Sequence, residues 1–240
     1  MRPYGTAHLV PLAIFVVGLG VAIWLGRRHR SALGPTRFSR GFAVLLTAVV
    51  VPFQIVDFVT RFDIDTTLPF HLCDLAWVAT AVALWSQRPY WVGLTCYWGI
   101  VLTTQAIVTP SVEDFPQVRY FAYWAHHILT VWGAFYLAVG LGRVPRWRDY
   151  RTTIVTTVGW AVFAVCFNVA AGTNYGYLMR KPDTGSILSV LGPWPWYVAV
   201  EIVLVVVVWA LLTVVLRRLA WLGQASPRPA SGSTSTPVRS

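Results

Sequence analysis

Apolar residues run through this chain in blocks of about twenty, and the polar residues gather between the blocks or at their ends. A helix needs about 20 predominantly apolar residues to cross roughly 30 Å of hydrocarbon. Blocks that satisfy this lie at about 9–26, 41–60, 68–86, 90–109, 120–141, 152–171 and 195–216. The pattern predicts an all-α fold, a polytopic membrane helix bundle of seven transmembrane helices filling residues 1–220. Residues 221–240 are rich in Pro, Ser and Thr, cannot bury a core, and are expected to form a disordered cytoplasmic tail. The other connections are short except 172–194, and no internal repeat or soluble module is evident.

Composition agrees with the pattern. Hydrophobic residues make up 56% of the chain and charged ones only 12%, with a mean hydropathy of +0.60, which excludes an ordinary soluble domain. Residues 1–26 read as a span and not as a cleavable leader, because the apolar run is long and RRHR follows it without a small-x-small site.

The seven blocks divide the basic residues unevenly. Fourteen arginines follow spans one, three, five and seven, whereas Arg2, Arg61, Arg119, Arg180 and Lys181 fall on the other side beside Asp63, Asp65, Glu113, Asp114 and Asp183. Basic loops stay cytoplasmic, so the amino terminus is expected outside and the carboxyl terminus inside a cell membrane. The net charge of +10 is then a matter of topology and attraction to anionic lipid, and calls for no nucleic-acid partner.

Span three opens with LPFHLCDLAW, residues 68–77. A charged side chain in hydrocarbon costs roughly 2.5–3.5 kcal/mol on the lenient insertion scale, so a span that carries one normally uses it. Its companions collect in the same outer half: Gln54 and Asp57, then Gln105, His126 and His127, and finally Cys166, Asn168, Trp196, Tyr197 and Glu201. His71 and Asp74 share a helix face at i,i+3. Together these residues predict a polar cavity open to the outside, to be occupied by a lipid of the membrane bilayer or by a solute.

Each candidate also has an ordinary structural explanation. Asp57 precedes Arg61 by four residues, the spacing of a helix ion pair. Asp74 has no basic residue at helical spacing, which favours a functional role with His71 or a span-five histidine. His126 and His127 point about 100° apart, so they cannot face one site equally, and the sequence does not choose between them. Cys73 is either a small hydrophobe or a nucleophile near a helix N-terminus. Cys96 and Cys166, like Cys73, show no metal or redox spacing. The stretch 172–194, with Asn174, Arg180 and Lys181, is expected to be a lid or a lipid-headgroup clamp.

Through LPFHLCD, the histidine pair of span five, TNYGYLMRKP and LGPWPWY, the sequence resembles the YwaF-type bacterial integral membrane proteins over about residues 40–216. More distantly it is similar to eukaryotic multi-pass lipid enzymes: Cys/His acyltransferases of ether phospholipids, and the androgen-induced Thr/His hydrolases. The resemblance implies a catalytic histidine at His126 or His127 and a nucleophile at Cys73, within a set that includes His71 and Asp74. A phospholipid would be the substrate, held by residues such as Asp57, Gln105, Asn168 and Asn174, and by Arg180, Lys181, Trp196 and Glu201.

A transporter or binding protein for a small polar solute is the competing expectation, and it needs polar groups on the cytoplasmic side, which are scarce. A retinal protein is excluded because the only lysine, Lys181, lies in a loop. Zinc-dependent seven-span hydrolases carry two histidines four apart in the last span, a pair absent here, so neither a metal nor another cofactor is expected.

Overall fold

A computed structural model describes residues 5–110, 112, 115–182 and 187–225. Among these residues the chain is all-helical, built as seven rods that run back and forth. They are α1 (Thr6–Arg28), α2 (Arg37–Thr60), α3 (Leu72–Ser86), α4 (Pro89–Val108), α5 (Val118–Phe135, continued through Tyr136–Gly140), α6 (Trp147–Ala171) and α7 (Trp196–Ala225). Five of them (α1, α2, α4, α6 and α7) are long and apolar enough to cross a membrane. Rod α3 is apolar but has only 15 residues, and α5 is interrupted by tyrosine, tryptophan and histidine.

Local chemistry explains where the rods depart from the apolar blocks. Rod α2 begins four residues before its block, because the Thr36 hydroxyl accepts the Ser39 N–H at 3.0 Å and caps it. Rod α3 begins four residues after its block. Pro69 holds the chain before it extended, and the helix starts at His71, whose N–H is accepted by the Asp74 carboxylate at 3.0 Å. Rod α7 runs on to Ala225, past the Trp221 at which the tail was expected to begin, and residues 226–240 lie outside the described residues.

Two rods contain wide π-type turns, over Thr95–Thr103 in α4 and Tyr136–Gly140 in α5. The second brings α5 against α1 so closely that a Cβ on Gly26 would fall 2.5 Å from the Gly140 Cα. Only glycine permits that backbone contact.

At the end where α1, α3, α5 and α7 finish, a core forms from Phe42, Leu84, Leu137, Leu141 and Leu216. Arginines tie the same end together: Arg30 donates to the Gly140 carbonyl, and Arg143 to Gln87 and to the Ala32 carbonyl. This is the arginine-rich face. At the opposite, amino-terminal face a second core of Phe15, Ile107, Trp124 and Val131 joins α1, α4 and α5. Rods α6 and α7 pack on each other, and α7 meets the rest of the bundle mainly through the wide turns of α4 and α5. They leave a space toward the amino-terminal face. The outward surfaces of α6 and α7 are aliphatic, with Val155 71% and Val203 61% exposed, as a lipid-facing surface requires.

Candidate functional site

The space between the α2–α5 side and the α6–α7 pair is a cavity of about 1060 Å³. Its polar wall carries Asp57, His71, Cys73, Asp74, Gln105 and both span-five histidines, and Glu201 faces it from α7. The remainder is largely aliphatic, with Val158, Val162, Ile202 and Val205 among the lining residues. An apolar space of this size with a few convergent polar groups is the usual form of a small-molecule or lipid site.

The histidines take different partners, which is what their 100° separation demands. His126 Nε2 donates to the main-chain carbonyl of Cys73 at 3.1 Å, and His127 Nδ1 donates to the Tyr123 carbonyl at 2.7 Å. A carbonyl only accepts, so each bond fixes which nitrogen carries hydrogen. In the neutral ring the lone pair is left on Nδ1 of His126 and on Nε2 of His127. The two rings lie 4.6 Å apart, and His127 also packs on Tyr123 at 4.1 Å. His127 is almost wholly buried, whereas His126 is half-buried.

Cys73 and His126 therefore meet through the backbone. The Cys73 sulfur takes its hydrogen bonds from the backbone of Cys73 and Asp74, at the start of α3, and the Asp74 carboxylate bonds the His71 main chain. The Asp74 carboxylate, at the N-terminus of α3, stabilises the start of that helix and so fixes Cys73 one residue before it. His71 turns the other way: its Nδ1 accepts from the Gly176 N–H at 3.4 Å, and its ring lies 4.9 Å from Tyr175.

Several expected binding residues hold the 172–194 segment together and do not line the cavity. Both amide groups of Asn168 are engaged: its Oδ1 accepts from Thr173 and the Tyr175 N–H, and its Nδ2 donates to the Tyr175 carbonyl. Asn174 brackets Met179 and Arg180 in the same manner. Arg180 pairs with Asp65, Lys181 reaches the Ser189 carbonyl, and Trp196 is exposed. Asp183 lies outside the described residues, as do Glu113 and Asp114.

Tyr175 is the keystone of this segment. It is fully buried, its hydroxyl donates to the Ile64 carbonyl at 2.7 Å, and it accepts from the Leu68 N–H at 3.1 Å. Burial pushes its phenol up to about 12, so the hydroxyl stays protonated and can serve both roles.

Asp57 corrects the expected pairing with Arg61. Its carboxylate takes both Nε and Nη2 of Arg119 at 2.8 Å, joining the end of α2 to the start of α5. A planar guanidinium fork facing a carboxylate wins over a helical i,i+4 partner because it makes two parallel bonds. Arg119 was counted only for topology. The signal that could have found it is its place in the first turn of the rod that carries the histidine pair. Trp160, in the middle of α6, and Tyr177 also line the cavity, and nothing sets them apart from the other aromatics of a chain with 13 tryptophans and 10 tyrosines.

Among the described residues no three of His, Cys, Asp and Glu come together in a way that could hold a metal ion.

The model of the TMEM164 family matches residues 3–213. The chain belongs to that family. No curated protein and no solved structure matches it. Membership in the TMEM164 family, together with the five long apolar helices, makes this a multi-pass membrane protein. The YwaF-type likeness and the chemistry it implies go further than that.

Proposed function

We propose that this TMEM164-family chain is a lipid-directed acyltransferase or hydrolase of the cell membrane, with seven spans and its amino terminus outside. The observation that carries the reading is the contact of His126 with Cys73 in the polar wall of a cavity whose other walls are aliphatic. An ester lipid needs that combination: apolar space for its chains, and a nucleophile and a base where the ester carbonyl would lie. The motif likeness to Cys/His acyltransferases points the same way.

The chemistry follows from the two side chains. For the chemistry the His126 ring releases the Cys73 carbonyl and turns its basic nitrogen to the thiol, which gives it the proton as sulfur attacks the ester carbonyl carbon. A C–S bond forms, the ester C–O bond breaks, and the imidazolium returns the proton to the leaving alkoxide. A second lipid hydroxyl, or water, then opens the thioester, passing its proton through His126 to the departing thiolate. The first acceptor gives transfer and the second gives hydrolysis.

The spans and their orientation rest on the alternation of the rods and on the arginines gathered at one end. Rods α3 and α5 count as spans because the other five enclose them. A transporter would need polar groups leading to the arginine-rich face, where Leu84, Leu137, Leu141 and Leu216 instead pack into a core. Turnover of exogenous phospholipid by membranes carrying the wild type, and its loss in His126→Ala, is the test. Membranes that bind a polar solute and turn over no lipid would favour the transporter.

A further inference from the structure

A second cavity, of about 360 Å³, lies at the arginine-rich face, at the other end of the bundle from the histidines, and the proposed chemistry makes no use of it. Three connections of the chain meet there. The one from α1 to α2 supplies Leu33 and Pro35, the junction of α3 with α4 supplies Gln87 and Pro89, and the one from α5 to α6 supplies Arg143, Pro145 and Arg146. Each brings a proline, which fixes a backbone dihedral, so the walls are set before anything enters.

The polar groups of this cavity do not balance one another. Arg143 is half-buried, and its bonds go to oxygens without full charge: Nε donates to the Gln87 side-chain carbonyl at 3.1 Å, and Nη2 to the Ala32 carbonyl at 3.1 Å. Those two bonds leave Nη1 over. They also take the oxygen of the Gln87 amide, whose Nε2 is buried and has no acceptor among the described residues. Asp149 is the carboxylate in the wall, and it is already used, accepting the Arg146 N–H at 2.8 Å and the Arg146 Nε at 3.4 Å. The rest of the lining includes the apolar Leu33, Val92 and Val144. A guanidinium without a carboxylate and a buried donor without an acceptor both lack the same kind of partner.

A phosphate is that partner, because its oxygens carry negative charge, only accept, and meet a guanidinium in pairs. Arg30 adds to the positive potential from beside Gly142, while its own bonds go to the Gly140 and Val139 carbonyls. Basic recesses among the ends of membrane helices suit anionic headgroups for this reason. We infer that the cavity at the arginine-rich face is a phosphate site, in which Arg143, Gln87 and Arg146 receive a phosphoryl group and so clamp the three connections together. The inference rests neither on turnover nor on which side of the membrane this face lies. The shared chemistry is the phosphoryl group, and its source is either an anionic phospholipid headgroup or a free phosphate ester.

The test is hydrogen exchange of the full chain in detergent micelles, read by mass spectrometry at residues 29–34, 86–92 and 141–148. The probes are inorganic phosphate, glycerol phosphate and short-chain phosphatidylglycerol, with glycerol and the matched phosphatidylcholine as controls. With a probe at ten times its Kd, exchange in these three segments of the wild type should slow about tenfold. Gln87→Glu keeps an acceptor for Arg143 but sets a carboxylate against the ligand, and it should weaken binding at least about tenfold. Arg146→Gln changes an exposed side chain and should weaken binding in the same direction, which keeps the test open if Gln87→Glu fails to fold. Protection by phosphate or glycerol phosphate supports the site with a free ester as its source; protection by phosphatidylglycerol alone supports it with a headgroup as its source. Exchange that no phosphate probe slows in the wild type overturns the inference, as does protection that persists unchanged in folded Gln87→Glu and Arg146→Gln. Protection without lipid turnover leaves the inference standing and removes the enzyme reading; turnover without protection does the reverse.

Discussion

His126 grips Cys73 by its main-chain carbonyl, Nε2 to O at 3.1 Å, and not by its sulfur. The bond locks α5 to the first turn of α3 and leaves the other nitrogen of the ring as its basic one. It also means that His126 has a structural share in the bundle. Its replacement should lower stability by about 1 kcal/mol as well as affect chemistry, so activity losses have to be read against a folding control such as His126→Gln.

The fork between Arg119 and Asp57 closes the cavity wall between α2 and α5. Arg119→Lys keeps the charge but loses one of the two parallel bonds, and Asp57→Asn loses the ion pair. Each should cost about 1–2 kcal/mol, with Arg119→Ala costing most because it leaves a part-buried carboxylate unpaired. Thermal unfolding in detergent would measure this. Equal stability of all three variants would show that the pair is too solvated to matter.

Much of this was legible in the sequence, and the limits have physical causes. The seven rods follow from the seven apolar blocks, because a run of about twenty apolar residues can satisfy its own backbone hydrogen bonds as one helix. The gathering of His71, Cys73, Asp74, His126, His127 and Glu201 followed from depth, since rods that alternate direction bring like depths together. Partner choice was not legible: Asp57 found Arg119 across a packing contact, while periodicity sees only Arg61. The hydrogen bonds of Asn168, in the last turn of α6, and of Asn174 were not legible either. Asn168 looks like a ligand residue by depth, but a helix ending at Gly172, φ 72, leaves backbone groups that its amide satisfies.

Tyr175→Phe removes a donor to the Ile64 carbonyl and an acceptor for the Leu68 N–H at one stroke. The variant should loosen the 172–182 segment while the long rods remain intact. Hydrogen exchange of Gly176 and Tyr177 should quicken about tenfold, in line with a loss of about 1–1.5 kcal/mol. Unchanged exchange would mean that the Asn168 and Asn174 networks hold the segment unaided.

Gly26 and Gly140 meet backbone to backbone. Gly26→Leu should separate α1 from the wide turn of α5 and cost about 3 kcal/mol or more, enough to reduce the amount of folded protein in membranes several-fold. Gly20→Leu, where the added side chain meets open space, is the matched control.

The central claim is that the cavity acts on lipid esters through His126 and Cys73. The most direct measurement is turnover of exogenous phospholipid by purified membranes carrying the wild type, Cys73→Ser, Cys73→Ala, His126→Ala and His127→Ala. The account predicts turnover by the wild type, at least a hundredfold loss in His126→Ala as expected for a general base, a comparable loss in Cys73→Ala, and a smaller loss in His127→Ala. Full activity in His126→Ala, or no turnover of any phospholipid by the wild type, would contradict it.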